Sequence, residues 1–274
     1  MMVVRCLGVV FVVLAMVSAC AADAEEPLAG SVESTSAQDT SGSEASWDVL
    51  VFSHSEGRGI AGAYAPLASE ILGVDVAPHD FALGFLNAQM ALQHLDGSRY
   101  PAVDEVVREA EIIVVGVGPE SLDEGWWDLC DPHGPPPGEL ELLPVPTDTE
   151  IAEALGPFSD ALDEIVRLRD DEPTVLFGFV PQFGGLVRWQ ELGIHDLCMT
   201  GWEAFADAQA DVIEAHGGTV VSFLDVFHGP NHNEDPRARG LIAIDGVHLS
   251  EAGIQLAAET LATYPIEPAP LPNP

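Results

Sequence analysis

The chain has 274 residues, 47% of them hydrophobic, which suits one medium-sized domain with a full core. Its charge is lopsided: 45 acidic residues stand against 9 basic ones, all arginine, for a formal net charge of -36. Such a surface repels phosphate backbones and anionic head groups, so nucleic-acid binding and direct docking on anionic lipid are excluded as functions, and a strongly solvated exterior suited to high salt is expected.

Taken in chain order, Met1–Arg5 is a weakly positive start and Leu7–Ala19 an unbroken run of small and apolar residues. The run is shorter than the about 20 residues of a membrane span and reads as the core of a signal peptide. It ends in Val17-Ser18-Ala19-Cys20, which resembles a bacterial lipobox, so residues 1–20 are expected to be a lipoprotein signal with Cys20 as the lipidated residue. Cleavage of an ordinary signal peptide is the alternative. Residues 21–46 are rich in Ser, Glu, Asp, Thr and Ala and cannot bury enough surface to offset ordering entropy; they read as a disordered tether. The chain is thus expected to be exported, and either lipid-anchored to the outer face of the cell membrane or secreted. The anchor is the only membrane contact expected. Cys6 leaves with the signal, so Cys130 and Cys198 remain as an even pair in an oxidising compartment. A disulfide between them would close a loop of nearly seventy residues, a constraint of about 4 kcal/mol in the chain-entropy model. Two free buried thiols are the alternative.

A folded domain is expected over residues 47–264. Val49–Ser53 reads as a buried strand, followed by Gly57, Gly59 and a helix over 60–72. A short strand over 74–76, helices over 86–95 and 102–110, and the strand Ile112–Val117 come next. Residues 120–149, with six prolines and the pair Trp126-Trp127, read as a long loop. A helix over 150–169, a strand over 174–180, an irregular stretch over 182–200, a helix over 201–216, a strand over 219–224 and a last helix over 250–262 capped by Ser250 complete the domain. Residues 265–274 read as a frayed proline-rich tail. Five strands, apolar on both faces and alternating with helices, argue for a three-layer α/β/α sandwich around a mostly parallel sheet. Chemistry in such sheets lies at the carboxyl ends of strands.

Two places fit. Ser53-His54-Ser55-Glu56 directly follows the first strand, where a serine hydroxyl stands at the sheet edge. Asp245-Gly246-Val247-His248 precedes the last helix. An aspartate three residues before a histidine can orient the ring, and the histidine can act as general base and then general acid for the serine.

The run Asp245-Gly246-Val247-His248-Leu249-Ser250-Glu251-Ala252-Gly253, with Asp48–Ser55, Gly59, Ala65-Pro66-Leu67, His79–Gly84 and Asn231–Gly240, resembles the SGNH or GDSL-type hydrolases, above all exported actinobacterial-type members. The resemblance spans nearly the whole domain. It implies a flavodoxin-like fold with a five-stranded sheet and an ester hydrolase working without metal or organic cofactor. Esterase, lipase and carbohydrate deacetylase all remain open. The expected partner is a small-molecule or glycan ester, and the expected state a monomer. It also implies Ser55 as nucleophile, Asp245 and His248 as its partners, and the amides of Ser55 and Gly84 as oxyanion donors. Two departures stand out. Ser53 and His54 replace the usual Gly and Asp. In the third block, where the family places an asparagine donor in Gly-x-Asn-Asp, this chain reads Gly116-Val117-Gly118-Pro119-Glu120-Ser121. Gly118 or Glu120 falls at that position, and an ionised glutamate cannot donate a hydrogen bond. Gly118 and Asn87 are substitute donors to consider. A catalytically weak surface lipoprotein that binds a glycan or acyl ligand is the competing expectation.

His228 and His232 stand four apart, but Gly229 and Pro230 between them forbid the regular helix that would aim both at one metal ion. Trp126 and Trp127 fit either an acyl or sugar pocket or the packing of a loop.

Overall fold

A computed structural model describes residues 46–84, 86–99, 103–122, 124–131, 134, 144–180 and 185–272. The chain divides into two units, Met1–Gly42 and Ser43–Pro274. The expected signal peptide and Cys20, with all but the last residue of the expected tether, lie outside the described residues.

The second unit is built on one five-stranded sheet: β1 (Ser46–His54), β2 (Asp75–Leu83), β3 (Ile112–Gly116), β4 (Val175–Val180) and β5 (Thr219–Ser222). The strands run parallel in the order β2-β1-β3-β4-β5. The expected three-layer α/β/α sandwich is what the chain forms. All residues of β3 and β4 are buried, as are Val49–His54 of β1, because helices cover both faces. One face carries α1 (Ile60–Leu72), α8 (Phe223–His228) and α9 (Glu251–Leu261) over Val49, Val51, Val114, Phe177 and Phe179. The other carries α2 (Ala88–Leu95), α3 (Asp104–Glu109), α4 (Glu124–Cys130), α5 (Asp148–Arg169), α6 (Leu186–Leu192) and α7 (His195–Ala215) over Leu50, Phe52, Ile113, Val115 and Leu176.

β2 lies on one side of β1 and β3 on the other, so the winding reverses between them. In open α/β sheets such a reversal marks where ligands bind, at the carboxyl ends of the strands. Glycine lets the core close in the middle of the sheet. A Cβ at Gly178 would lie 2.3 Å from Ile213 of α7, and one at Gly116 would lie 2.8 Å from the Phe179 ring.

Several boundaries differ from the sequence reading. β2 runs to Leu83, not Val76; it is an edge strand, half-exposed and polar, and its order comes from pairing with β1 all the way from Ser46↔Asp75 to His54↔Leu83. The expected loop over 120–149 holds α4, and the expected irregular stretch over 182–200 holds α6 and the start of α7. These helices bury Trp126, Trp189 and Cys198 around the Cys130–Cys198 disulfide, whose Cα atoms are 5.6 Å apart. The strand expected over 219–224 ends at Ser222, which turns and caps α8 through the Asp225 N–H (3.1 Å). The tail expected to fray instead docks: Ala269 and Thr174 exchange both backbone hydrogen bonds (2.9 and 3.2 Å), and Leu271 is buried.

Arg169, the last residue of α5, is buried and spends its guanidinium on the core. It donates to the carbonyls of Val107 and Arg108 at the end of α3 and to Thr174 Oγ1 at 2.8 Å. Burial lowers its pKa, against the pull of Glu111 and Glu172. Arg169→Met should leave two buried carbonyls short of a donor. A loss of about 3 kcal/mol in urea unfolding is expected, and an unchanged midpoint would refute this role.

Candidate active site

The strand β1 ends in His54, and Ser55–Gly57 forms a single 3-10 turn before α1. The turn lies flat on the strand end because Gly57 has no side chain: a Cβ there would fall 1.9 Å from Ser53 Oγ. Gly59 then takes a left-handed conformation (φ 86°), and its N–H donates to Asp80 Oδ2 of β2 at 2.5 Å. The edge strand therefore pins the turn that carries Ser55.

The second segment is held as firmly. Residues 240–250 fold back on themselves: Ala243 N–H donates to His248 O (2.8 Å) and Ser250 N–H to Leu241 O (2.9 Å). Ser250 Oγ accepts from the Gly253 N–H (3.1 Å) at the start of α9. Arg237 donates to Gly246 O (2.9 Å). Within this hairpin, Asp245 Oδ1 accepts the N–H groups of Val247 (3.0 Å) and His248 (3.1 Å), while Oδ2 faces His248 Nδ1 at 2.8 Å. The other ring nitrogen, Nε2, lies 3.0 Å from Ser55 Oγ. A continuous hydrogen-bonded line thus runs from Asp245 through His248 to Ser55, across 193 residues of sequence.

The electrostatics match the geometry. The hydrogen bond from Val247 N–H, then the bond with His248, hold the Asp245 carboxyl down to about 2. It therefore stays ionised in any mildly acidic medium, facing the nitrogen that must be protonated for Nε2 to act as a base.

Neither a comparison with protein-family models nor one with curated proteins finds a match. Solved structures do match. A lipase from a goat rumen metagenome is 17% identical, with 79% of this chain and 96% of that one covered, at a TM-score of 0.56. An acetylxylan esterase from Geobacillus stearothermophilus, crystallised as a catalytic mutant, is 13% identical over 81% and 96% of the two chains, with a TM-score of 0.50. An SGNH hydrolase structure from Slackia heliotrinireducens is 18% identical over 80% and 98%, at 0.48.

The chain shares the fold of that lipase and that acetylxylan esterase.

Within that fold, register places the remaining candidates. His54 pairs with Leu83, so Ser55 and Gly84 each follow the last paired residue of neighbouring strands. Ser53 pairs with Gly116, so Gly118 lies just past the end of the strand on the other side of β1. The Gly118 N–H, however, donates to Leu86 O at 3.3 Å, and so is already engaged; this corrects its expected place among the oxyanion donors. Asn87 caps α2, its side-chain oxygen accepting the Met90 N–H at 2.9 Å, a structural use that explains the residue without any role at the site.

Two residues at the site entered the sequence reading only as departures from the family pattern. His54 is buried, and burial together with the nearby His248 lowers its pKa to about 3, so the ring is neutral and adds no second cation beside the base. Its Nδ1 accepts the Glu56 N–H at 3.4 Å, which leaves the proton on Nε2, a buried donor without a partner. Glu120 is the other: its Oε2 is buried without a hydrogen-bond partner. The histidine pair separates, as Gly229 and Pro230 suggest. His228 Nδ1 meets Glu234 O, whereas His232 bridges Glu203 and Asp225 at 2.8 and 2.9 Å. Trp126 is core, 1% exposed, against Gly201 of α7, where a Cβ would fall 2.3 Å from the ring.

Proposed function

We propose that this chain is a serine ester hydrolase. Ser55 Oγ attacks the acyl carbonyl carbon while His248 Nε2 takes the hydroxyl proton. The tetrahedral oxyanion collapses, the C–O bond to the alcohol breaks, and His248 returns the proton to that alcohol. Water, deprotonated by His248, then attacks the acyl-enzyme and releases the acid with Ser55 restored. Asp245 holds the imidazole in the tautomer this requires and stabilises its cation. The amides of Ser55 and Gly84, each following the last paired residue of neighbouring strands, are assigned to the oxyanion. The substrate is a small-molecule or glycan ester, reached from outside the cell by a domain tethered through Cys20. Ile244, a fully exposed apolar side chain next to Asp245, gives the rim of the site an apolar contact for the acyl or alcohol group.

The observation that carries this reading is the Asp245–His248–Ser55 line, with contacts of 2.8 and 3.0 Å between its members. The engaged Gly118 amide and the absent asparagine favour a second reading, a binding protein on a hydrolase fold. Covalent capture separates the two. A fluorophosphonate should add once per chain, on the peptide bearing Ser55, and His248→Ala should slow that addition by about 1000-fold or more. A chain that stays unlabelled over hours, or labels equally fast in both forms, would leave only the binding reading.

A further inference from the structure

Glu120 is a buried carboxyl that the chemistry above does not use. It lies in the short 3-10 turn Pro119–Ser121 just past β3. Its carboxyl folds back over Gly118, where a Cβ would fall 1.8 Å from Oε2 and 3.1 Å from Oε1, so only glycine leaves it room. Oε2 has no partner and no access to water, a setting hostile to a carboxylate and tolerable for an acid.

Two observations put this carboxyl at the sheet end that carries Ser55. The first is the ladder: Ser53 pairs with Gly116, so the turns Ser55–Gly57 and Pro119–Ser121 leave the ends of neighbouring strands. The second is face. Along β3, Ile112 and Val114 point to the α1 and α9 side, and Ile113, Val115 and Val117 to the other. Gly118 is extended (φ -85°, ψ 165°) and continues the alternation, so the space its missing side chain leaves, filled by Glu120, opens toward α1 and α9. Those are the helices preceded by Ser55 and His248.

Resting on the reading of Ser55 as nucleophile, we propose that Glu120 serves as an un-ionised carboxylic acid whose O–H donates to the substrate oxyanion. It thereby fills with a different group the place that an asparagine amide takes in the resembling family. Burial pushes the Glu120 pKa up to about 7; its own backbone N–H pulls the other way, and the negative charge of Asp131, just past α4, pushes further up. From α2, the turn is met by the Ala88 N–H, which donates to Ser121 Oγ at 2.8 Å. The titratable groups at the Ser55 end of the sheet are the neutral His54 and the Asp245–His248 pair. The acid form donates below its titration; above it the carboxylate has no proton to give and repels the oxyanion. Turnover should therefore fall as pH rises, opposite to the effect of deprotonating a catalytic base.

The test is the pH profile of kcat/KM on a short-chain nitrophenyl ester for the wild type, Glu120→Gln, Glu120→Ala and Ser55→Ala. An amide donates at every pH, so Glu120→Gln should lack the alkaline decline. Its rate relative to wild type should climb with pH toward about 100-fold near pH 9, the worth of one oxyanion donor. Glu120→Ala should lie about 100-fold below wild type at pH 6, with a flat alkaline side. An alkaline limb that survives in Glu120→Gln overturns the proposal, as does an equal, pH-independent loss in both Glu120 variants, which marks simple packing. Hydrolysis no faster in wild type than in Ser55→Ala sinks instead the serine-hydrolase reading on which the proposal stands.

Discussion

Alanine at Ser55 or at His248 is expected to lower kcat on a simple ester by about 10⁴- to 10⁶-fold, and the double variant should lose no more than either single one. In the proposed mechanism the three side chains act as a relay in which each link needs the next. Ser55 without the 3.0 Å contact to Nε2 is an ordinary alcohol, and His248 without Ser55 has no nucleophile to activate. Asp245→Asn should cost about 10⁴-fold, because an amide facing Nδ1 favours the tautomer with its proton on the wrong nitrogen. The change should leave stability nearly untouched, since Asp245 is half-exposed. What its depressed pKa contributes to stability is present above the unfolded carboxylate range and is lost only as pH falls through about 2. Steady-state kinetics on the single and double variants check this. Losses that multiply would mean independent contributions and no relay.

Removing the Cys130–Cys198 bridge is expected to cost about 4 kcal/mol, the loop-closure entropy of a crosslink spanning 68 residues. The bridge ties the end of α4 to the first turn of α7, and the chain between includes α5, β4 and α6. Both cysteines are fully buried. Trp189 Nε1 donates to Cys130 O at 2.7 Å, so the aromatic cluster is fastened to one end of the bridge. Alanine at both positions, followed by urea unfolding beside the oxidised wild type, reads the effect. The midpoint should fall and the slope rise, because an uncrosslinked chain exposes more surface when it unfolds. A variant as stable as the parent would mean that the denatured chain keeps this region together without the bond.

The central strands were legible because their chemistry is local: Ile112–Gly116 and Val175–Val180 are apolar on both faces, as strands covered on both sides must be. β2 was legible only in its first residues. Ala77-Pro78-His79-Asp80 looks like a loop, and only the ladder supplied by β1 makes it a strand. Likewise Gly185 and Gly193 punctuate the stretch that holds α6, and the deciding term there is the burial of Trp189 and Cys198, which depends on α4 arriving from elsewhere. At the site, the order of Ser55, Asp245 and His248 could be read, since residue types and strand ends are visible in a sequence. Their distances could not, because these follow from the packing of α1 on α9. Glu120 was seen only as a missing asparagine: its orientation depends on the emptiness of Gly118, and its charge state on burial.

The packing of α1 on α9 has a consequence for how the proposed hydrolase can diversify. Both helices bury small side chains in one core, Ala61, Ala65 and Ala68 on one and Ala257 and Ala258 on the other, and a Cβ at Gly59 would fall 3.1 Å from Ile254. One helix follows Ser55 and the other follows His248, so any widening of the gap between them would move those two side chains apart. In the hydrolase proposed here, retuning which ester is accepted would fall to the connections that leave β2, β3 and β4, with the ground beneath the proton relay left fixed.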